Sequence, residues 1–161
     1  MKEAKTLGPK GRYERLEKPI DQTFHLALMI RVATKPYWKK ATKEQRKQLL
    51  TAFRRMSLST LATLFDGYSG QVFKHIDEKD GPQKTRIVRT KIVNPDKSSH
   101  DIAYVAKKYQ DRWYLVDVIV DNGISELSVR RSEYHRILSE SGPDGLIRIL
   151  NAKADELIPR E

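Results

Sequence analysis

Cysteine is absent from the 161 residues. That excludes disulfides and thiolate metal ligands, and it suits an oxidising periplasm and the cytosol alike. Long apolar runs are missing too: none approaches the ~18 residues that a membrane-crossing helix requires, so no such helix is expected. No apolar segment follows Met1-Lys2-Glu3-Ala4-Lys5, so a secretory signal is either absent or already removed. Internal repeats and low-complexity tracts are also lacking. No serine sits in a Gly-x-Ser-x-Gly elbow, and Gly67-Tyr68-Ser69-Gly70 follows a helix instead of joining a strand to one, as a phosphate-cradling loop does. His25, His75, His100 and His135 fall on four different predicted elements without metal-ligand spacing. Neither a metal, a cofactor nor an assembled catalytic centre is expected.

What is present is ordinary for a globular chain, with 39% hydrophobic and 32% charged residues. A chain of this length fits one domain, 1–161, burying roughly two-thirds of its unfolded surface. The net charge of +10 attracts polyanions of any kind. Nucleic-acid binding calls for Lys and Arg on one face with interleaved aromatics. Here they are spread over the polar sides of every element, so an anionic membrane surface is the expected partner and nucleic acid is not.

Residues 1–18, with Gly8-Pro9 and Gly11 among charges, read as a loosely ordered opening segment with one helical turn near Tyr13 to Leu16. Ile20, Phe24, Leu26, Ala27, Met29, Ile30, Val32 and Ala33 have helical spacing and predict a short buried helix that Pro36 ends. Thr42-Lys43-Glu44-Gln45 is a capping box, with the threonine hydroxyl accepting the Gln45 amide and the glutamine reaching back. The helix it starts carries Leu49, Phe53, Met56, Thr60 and Leu64 on one stripe and stops at Asp66-Gly67. Period two then takes over, with strands expected at 71–76, 85–93, 101–108 and 112–120. Asp77-Glu78-Lys79-Asp80-Gly81 reads as a polar turn, Asn94-Pro95-Asp96 as another, and Tyr109-Gln110-Asp111 as a hairpin turn. After Gly123 the helical period returns through Ile124, Leu127, Arg131, Tyr134 and Leu138, and a last helix begins at Pro143. The fold class is α+β: an antiparallel meander of about four strands with helices packed on one face.

The order of these pieces resembles the MlaC, or toluene-tolerance, family of periplasmic lipid-binding proteins. The resemblance runs from about Pro19 to the C-terminus and is carried by Pro36-Tyr37-Trp38, Phe65-Asp66-Gly67-Tyr68-Ser69-Gly70, Trp113-Tyr114-Leu115-Val116-Asp117-Val118-Ile119-Val120, Arg130-Arg131-Ser132-Glu133-Tyr134 and Asp144-Gly145-Leu146-Ile147 in that order. The wording is most similar to the hopanoid-associated HpnM branch. His25 departs from the family's usual Asp after the Phe, and Tyr109-Gln110-Asp111-Arg112 departs from its short glycine turn. The resemblance implies a periplasmic carrier and not an enzyme. It shuttles a hopanoid, or alternatively a phospholipid, between an inner-membrane transporter and outer-membrane components. A monomer is expected.

It further implies a lipid cavity between sheet and helices, for which Phe24, Met29, Trp38, Leu49, Phe53, Met56, Thr60, Val88, Tyr104, Leu115, Tyr134 and Ile147 are the candidate lining residues. Residues at such spacing are ordinarily plain core. The energetics favour a cavity all the same: at about 0.8 kcal/mol per methylene, a chain of roughly 16 carbons costs on the order of 13 kcal/mol to hold in water. Asp117 and Arg131 both fall on apolar faces, where an unpaired charge is costly, so either the two form a buried pair or a side chain reaches the rim and is solvated. The rival class is a cone-shaped α+β enzyme of the steroid-isomerase kind, for which Asp117 and Tyr104 are the candidate working pair.

Overall fold

The computed structural model describes residues 3–120 and 123–159. Helix α1 spans Ala4–Thr23, although the opening segment was expected to be loose. Its one interruption is Gly8, at φ 63° and ψ 177°, a backbone region that essentially only glycine occupies. Pro9 then restarts the helix where a missing N–H costs nothing. Arg12 secures the segment: buried to 6% exposure, it donates from Nε to the Ala62 carbonyl at 2.6 Å and from Nη1 to the Ala4 carbonyl at 2.9 Å. Ala62 lies in the last turn of helix α4 (Lys43–Leu64), where unpaired carbonyls and the helix dipole favour a cation.

The helix expected across 20–33 is broken in two. Phe24 is extended, bridges Leu115, and hands over to α2 (Leu26–Ala33). His25 caps α2 through Nδ1, which accepts the Leu28 amide at 3.2 Å. That is the work of an N-cap aspartate, so the departure at this position keeps the cap. After the short α3 (Tyr37–Lys40), the capping box opens α4 as read from sequence, with Gln45 N to Thr42 Oγ1 at 3.1 Å and Thr42 N to Gln45 Oε1 at 3.0 Å.

The sheet has five antiparallel strands in the order β1 (Val72–Gly81), β2 (Thr85–Val93), β3 (Ser99–Tyr109), β4 (Arg112–Val120) and β5 (Ile124–Ser125). Strand β5 was read as the start of a helix; two residues are too few to show a period. The carboxylates at 77–80 lie inside β1 and not in a turn. Asp77 stands opposite Arg89 and is held by its guanidinium, which lowers the Asp77 pKa from the usual carboxylate value. Helix α5 runs Glu126–Leu157 and is broken at Gly142, φ 65° and ψ −171°, with Pro143 restarting it as at Pro9.

The buried cluster is made of helix residues alone, from Ile20 through α2, α4 and α5 to Ala154. Ala106 and Val116, the buried sheet residues, lie outside it. The helical layer meets the sheet along β4 and β5, and β1, β2 and β3 pack chiefly on one another. No helix among the described residues is long and apolar enough to cross a membrane.

Candidate functional site

Side chains alternate across a strand and cross-strand partners share a face, so the register decides what each face presents. Val88 pairs with Tyr104, Thr90 with Ile102, Tyr104 with Val118, Ile102 with Val120 and Ala106 with Leu115. These residues form one apolar face, extended by Ile92 and its partner Phe73. Apart from the buried Ala106 and the exposed Phe73, all of them are half-buried, and none joins the helical cluster. Burial raises the Tyr104 phenol above its ordinary pKa. The opposite face carries Arg89, Lys91, Asp101 and Asp117, with Lys91 paired to Asp101 at 3.3 Å, and a hollow of about 380 Å³ is lined by Ile76, Ala103 and Ile119 together with Thr90, Ile102 and Val120. The first face is apolar at its centre, with Arg86, Glu78 and His100 towards its edges, and the opposite face alternates charged residues with the half-buried Ile87, Ala103, Val105 and Ile119.

The twelve candidate lining residues divide between two places. Val88, Tyr104 and Leu115 share the apolar sheet face. Met29, Leu49, Phe53, Met56 and Tyr134 lie instead inside the helical core, with Phe53 and Tyr134 each 1% exposed and their rings edge-to-face at 6.5 Å. This corrects the expectation that the α4 stripe lines the cavity: α4 turns that stripe onto neighbouring helices. Trp38 and Ile147 pack against the same core from outside, and Thr60 is half-buried with its hydroxyl on the Met56 carbonyl. Phe24 packs there too and lines a second hollow, of about 670 Å³, between the end of α1, the start of α2, α4 and the β3–β4 hairpin. In that hairpin Gln110 takes a positive φ of 53° in place of the family's glycine, and Arg112 donates to the Gln22 carbonyl at 2.6 Å.

Asp117 and Arg131 do not pair. The Asp117 carboxylate accepts the Ser125 hydroxyl at 2.5 Å, the Leu127 amide at 3.0 Å and the Val118 amide at 2.8 Å, and so fastens the start of α5 to β4. Arg131 is exposed. Two physical reasons misled the sequence reading. A bulge at Val116, opposite the Val105/Ala106 step, puts Asp117 on the other face from Leu115. On α5, moreover, Arg130 and Arg131 are both compatible with a stripe through Leu127 and Tyr134, and packing selects Arg130. The Arg130 guanidinium stands 5.8 Å from the Phe53 ring centre, with Nη1 3.4 Å from the Tyr134 hydroxyl and 3.5 Å from the Met56 sulfur. The isomerase pair fails on the same register: Asp117 sits opposite Val105, so it and Tyr104 point to opposite faces.

The site is thus an open antiparallel sheet joined to a helical layer along β4 and β5, with a central apolar stretch left half-exposed. A family profile described as MlaC protein matches residues 1–152, and the chain belongs to that family. Its fold is shared with the phospholipid-binding protein from Ralstonia solanacearum, solved in complex with a phospholipid. The two agree with a TM-score of 0.84 at 16% identity, over 96% of this chain and 87% of that one.

Proposed function

We propose that this protein is a lipid carrier and not an enzyme, taking the acyl or polycyclic part of a membrane lipid against the apolar sheet face around Val88, Tyr104 and Leu115. The observation that carries this reading is that face itself: contiguous apolar side chains left half-exposed while the helices pack their own core. Apolar surface kept from its own core is costly in water, and a lipid chain has the same cost, so covering one with the other removes both. Family membership and the phospholipid bound to the Ralstonia protein support the same reading.

The carrier works in the periplasm, between an inner-membrane lipid transporter and outer-membrane components, with the net charge of +10 drawing it to anionic surfaces. Its cargo is a glycerophospholipid or, as the HpnM-like wording suggests, a hopanoid. Native mass spectrometry and lipid extraction on protein purified from its own compartment test the whole reading. Stoichiometric phospholipid or hopanoid is the expected result. Protein that arrives lipid-free and takes up neither class from vesicles overturns it.

A further inference from the structure

The net charge of +10 is unevenly placed. Residues 31–47 carry seven Lys and Arg against the single carboxylate of Glu44, so more than half of that charge falls on one stretch. The stretch folds into one corner, made of the end of α2, α3 and the start of α4. Arg46 ties the corner together, donating from Nε to the Trp38 carbonyl at 2.9 Å and from Nη2 to the Lys39 carbonyl at 3.0 Å, with its guanidinium 5.8 Å from the Trp38 ring centre. The other six cations, Arg31, Lys35, Lys39, Lys40, Lys43 and Lys47, are exposed, and none makes an ion pair among the described residues. The carboxylates that reach the start of α4 are engaged by amides: Glu44 accepts from Gln48 at 3.0 Å, and Asp144 from Gln45 at 3.0 Å. Elsewhere cations are answered within the chain, Arg54 by Asp21 and Glu17, Arg55 by Asp155, Lys91 by Asp101 and Lys153 by Glu133. The fold gains nothing from the crowding. Lys43 and Lys47 stand in the first two turns of α4, the end whose dipole repels a cation, and their i, i+4 spacing sets like charge over like charge. Charge that works against its own helix and has no internal partner calls for a counter-charge outside the chain.

We propose that this corner of α2, α3 and α4 docks the protein on an anionic bilayer surface, held by charge and without insertion. Its purpose rests on the carrier reading above. Two features select a bilayer over an acidic protein. Five of the six free cations are lysines, compact charges on flexible stems that suit a fluid array of headgroups, whereas the arginine forks that fit fixed carboxylates are used internally at Arg54 and Arg55. Protein interfaces are moreover depleted in lysine and enriched in aromatic side chains, and at this corner Tyr37 and Trp38 are half-buried against the helical core. The same packing withholds both rings from the bilayer. The contact is therefore electrostatic, worth about fivefold in partition per cation near an anionic surface. None of the six cations lies on the sheet, so the apolar face takes no part in the docking.

The test measures cosedimentation of the full chain with sucrose-loaded vesicles, either pure dioleoylphosphatidylcholine or the same lipid with about 30% dioleoylphosphatidylglycerol. Wild-type protein should bind the mixed vesicles at least about twentyfold more tightly than the neutral ones, and should leave them as salt rises to about 0.5 M. Lys39→Gln, Lys40→Gln, Lys43→Gln and Lys47→Gln combined should weaken that binding by about fiftyfold or more, whereas arginine at the same four positions should keep it within about threefold. Glutamine matches lysine in helix propensity, so thermal denaturation should be unchanged, and the arginine variant separates loss of docking from loss of folding. A control with Lys74→Gln, Lys79→Gln, Lys84→Gln and Lys97→Gln removes the same charge from exposed positions of the sheet and its turns, and should stay within about fivefold of wild type. Equal weakening by the two glutamine variants would reduce the docking to bulk charge and overturn the assignment. Binding that survives the high salt would mean apolar insertion and overturn it as well. Wild-type protein that ignores the mixed vesicles would also overturn it, and would leave an acidic protein as the occupant of the corner. The carrier reading is checked separately, by uptake of a pyrene-labelled lipid from neutral detergent micelles, which the glutamine variant of the corner should retain. Wild-type protein that docks but takes up no pyrene-labelled lipid would sink the carrier reading and not the docking surface.

Discussion

Arg12 donates to carbonyls of two different helices while almost wholly buried, so its removal uncovers two acceptors and a void together. Arg12→Ala should cost about 2 to 4 kcal/mol in chemical denaturation, the range for charged hydrogen bonds lost with packing. Asp117 is the second residue of this kind. Asp117→Ala strips the Ser125 hydroxyl and the Leu127 amide of their shared acceptor and should cost about 1 to 3 kcal/mol. Arg131→Ala should stay within about 0.5 kcal/mol, and the double variant should be additive, because the exposed arginine takes no part in that network. A coupling well above about 0.5 kcal/mol would return the two side chains to contact.

The two helix breaks are one device used twice: a glycine in a conformation closed to other residues, followed by a proline that restarts the helix. Gly142→Ala should therefore cost about 1 to 3 kcal/mol, whereas Gly67→Ala, with open space around its Cβ position, should be near neutral by thermal denaturation. Between α1 and α4 the clasp is electrostatic. Arg54 donates to both oxygens of Asp21, at 2.8 and 2.7 Å, and that hydrogen bonding lowers the Asp21 pKa. A depressed carboxylate pKa means that the clasp contributes fully above the unfolded value near 3.8 and is lost as pH falls through the lower folded value. Asp21→Asn should then cost under about 1 kcal/mol at neutral pH, as befits a part-exposed pair, and nothing once acid has protonated the wild-type carboxylate. A constant difference between the two proteins down the pH range would contradict this.

At the scale of the whole molecule, the helical core and the proposed binding face are physically separate, and substitutions should tell them apart. Phe53→Ala removes a ring from the helical cluster and should cost about 3 to 5 kcal/mol. Val88→Lys places a cation opposite Glu78 on a half-exposed strand position, so stability should change by under about 1 kcal/mol. Lipid uptake, read by the pyrene-lipid assay, should nevertheless fall at least about tenfold, because a charge now lies where a tail must. Loss of folding in place of loss of uptake would mean that the sheet face is structural.

Local chemistry alone determined much of this protein. The capping box at Thr42, the strands at 85–93 and 112–120, and the restart at Pro143 each follow from side chains acting within a few residues of themselves, and they came out as read. The succession of helical and period-two segments likewise gave the α+β class, and the family wording gave the membership, that the fold and the MlaC match bear out. What only the tertiary structure decided depends on distant partners. The opening helix needs Arg12 to reach α4 across 50 positions. The faces of β4 turn on a bulge that periodicity does not register. Whether α4 turns Phe53 to the sheet or to α5, and whether Arg130 or Arg131 points inward, are choices between equivalent helical spacings. Those choices were made by packing, which a one-dimensional pattern does not contain.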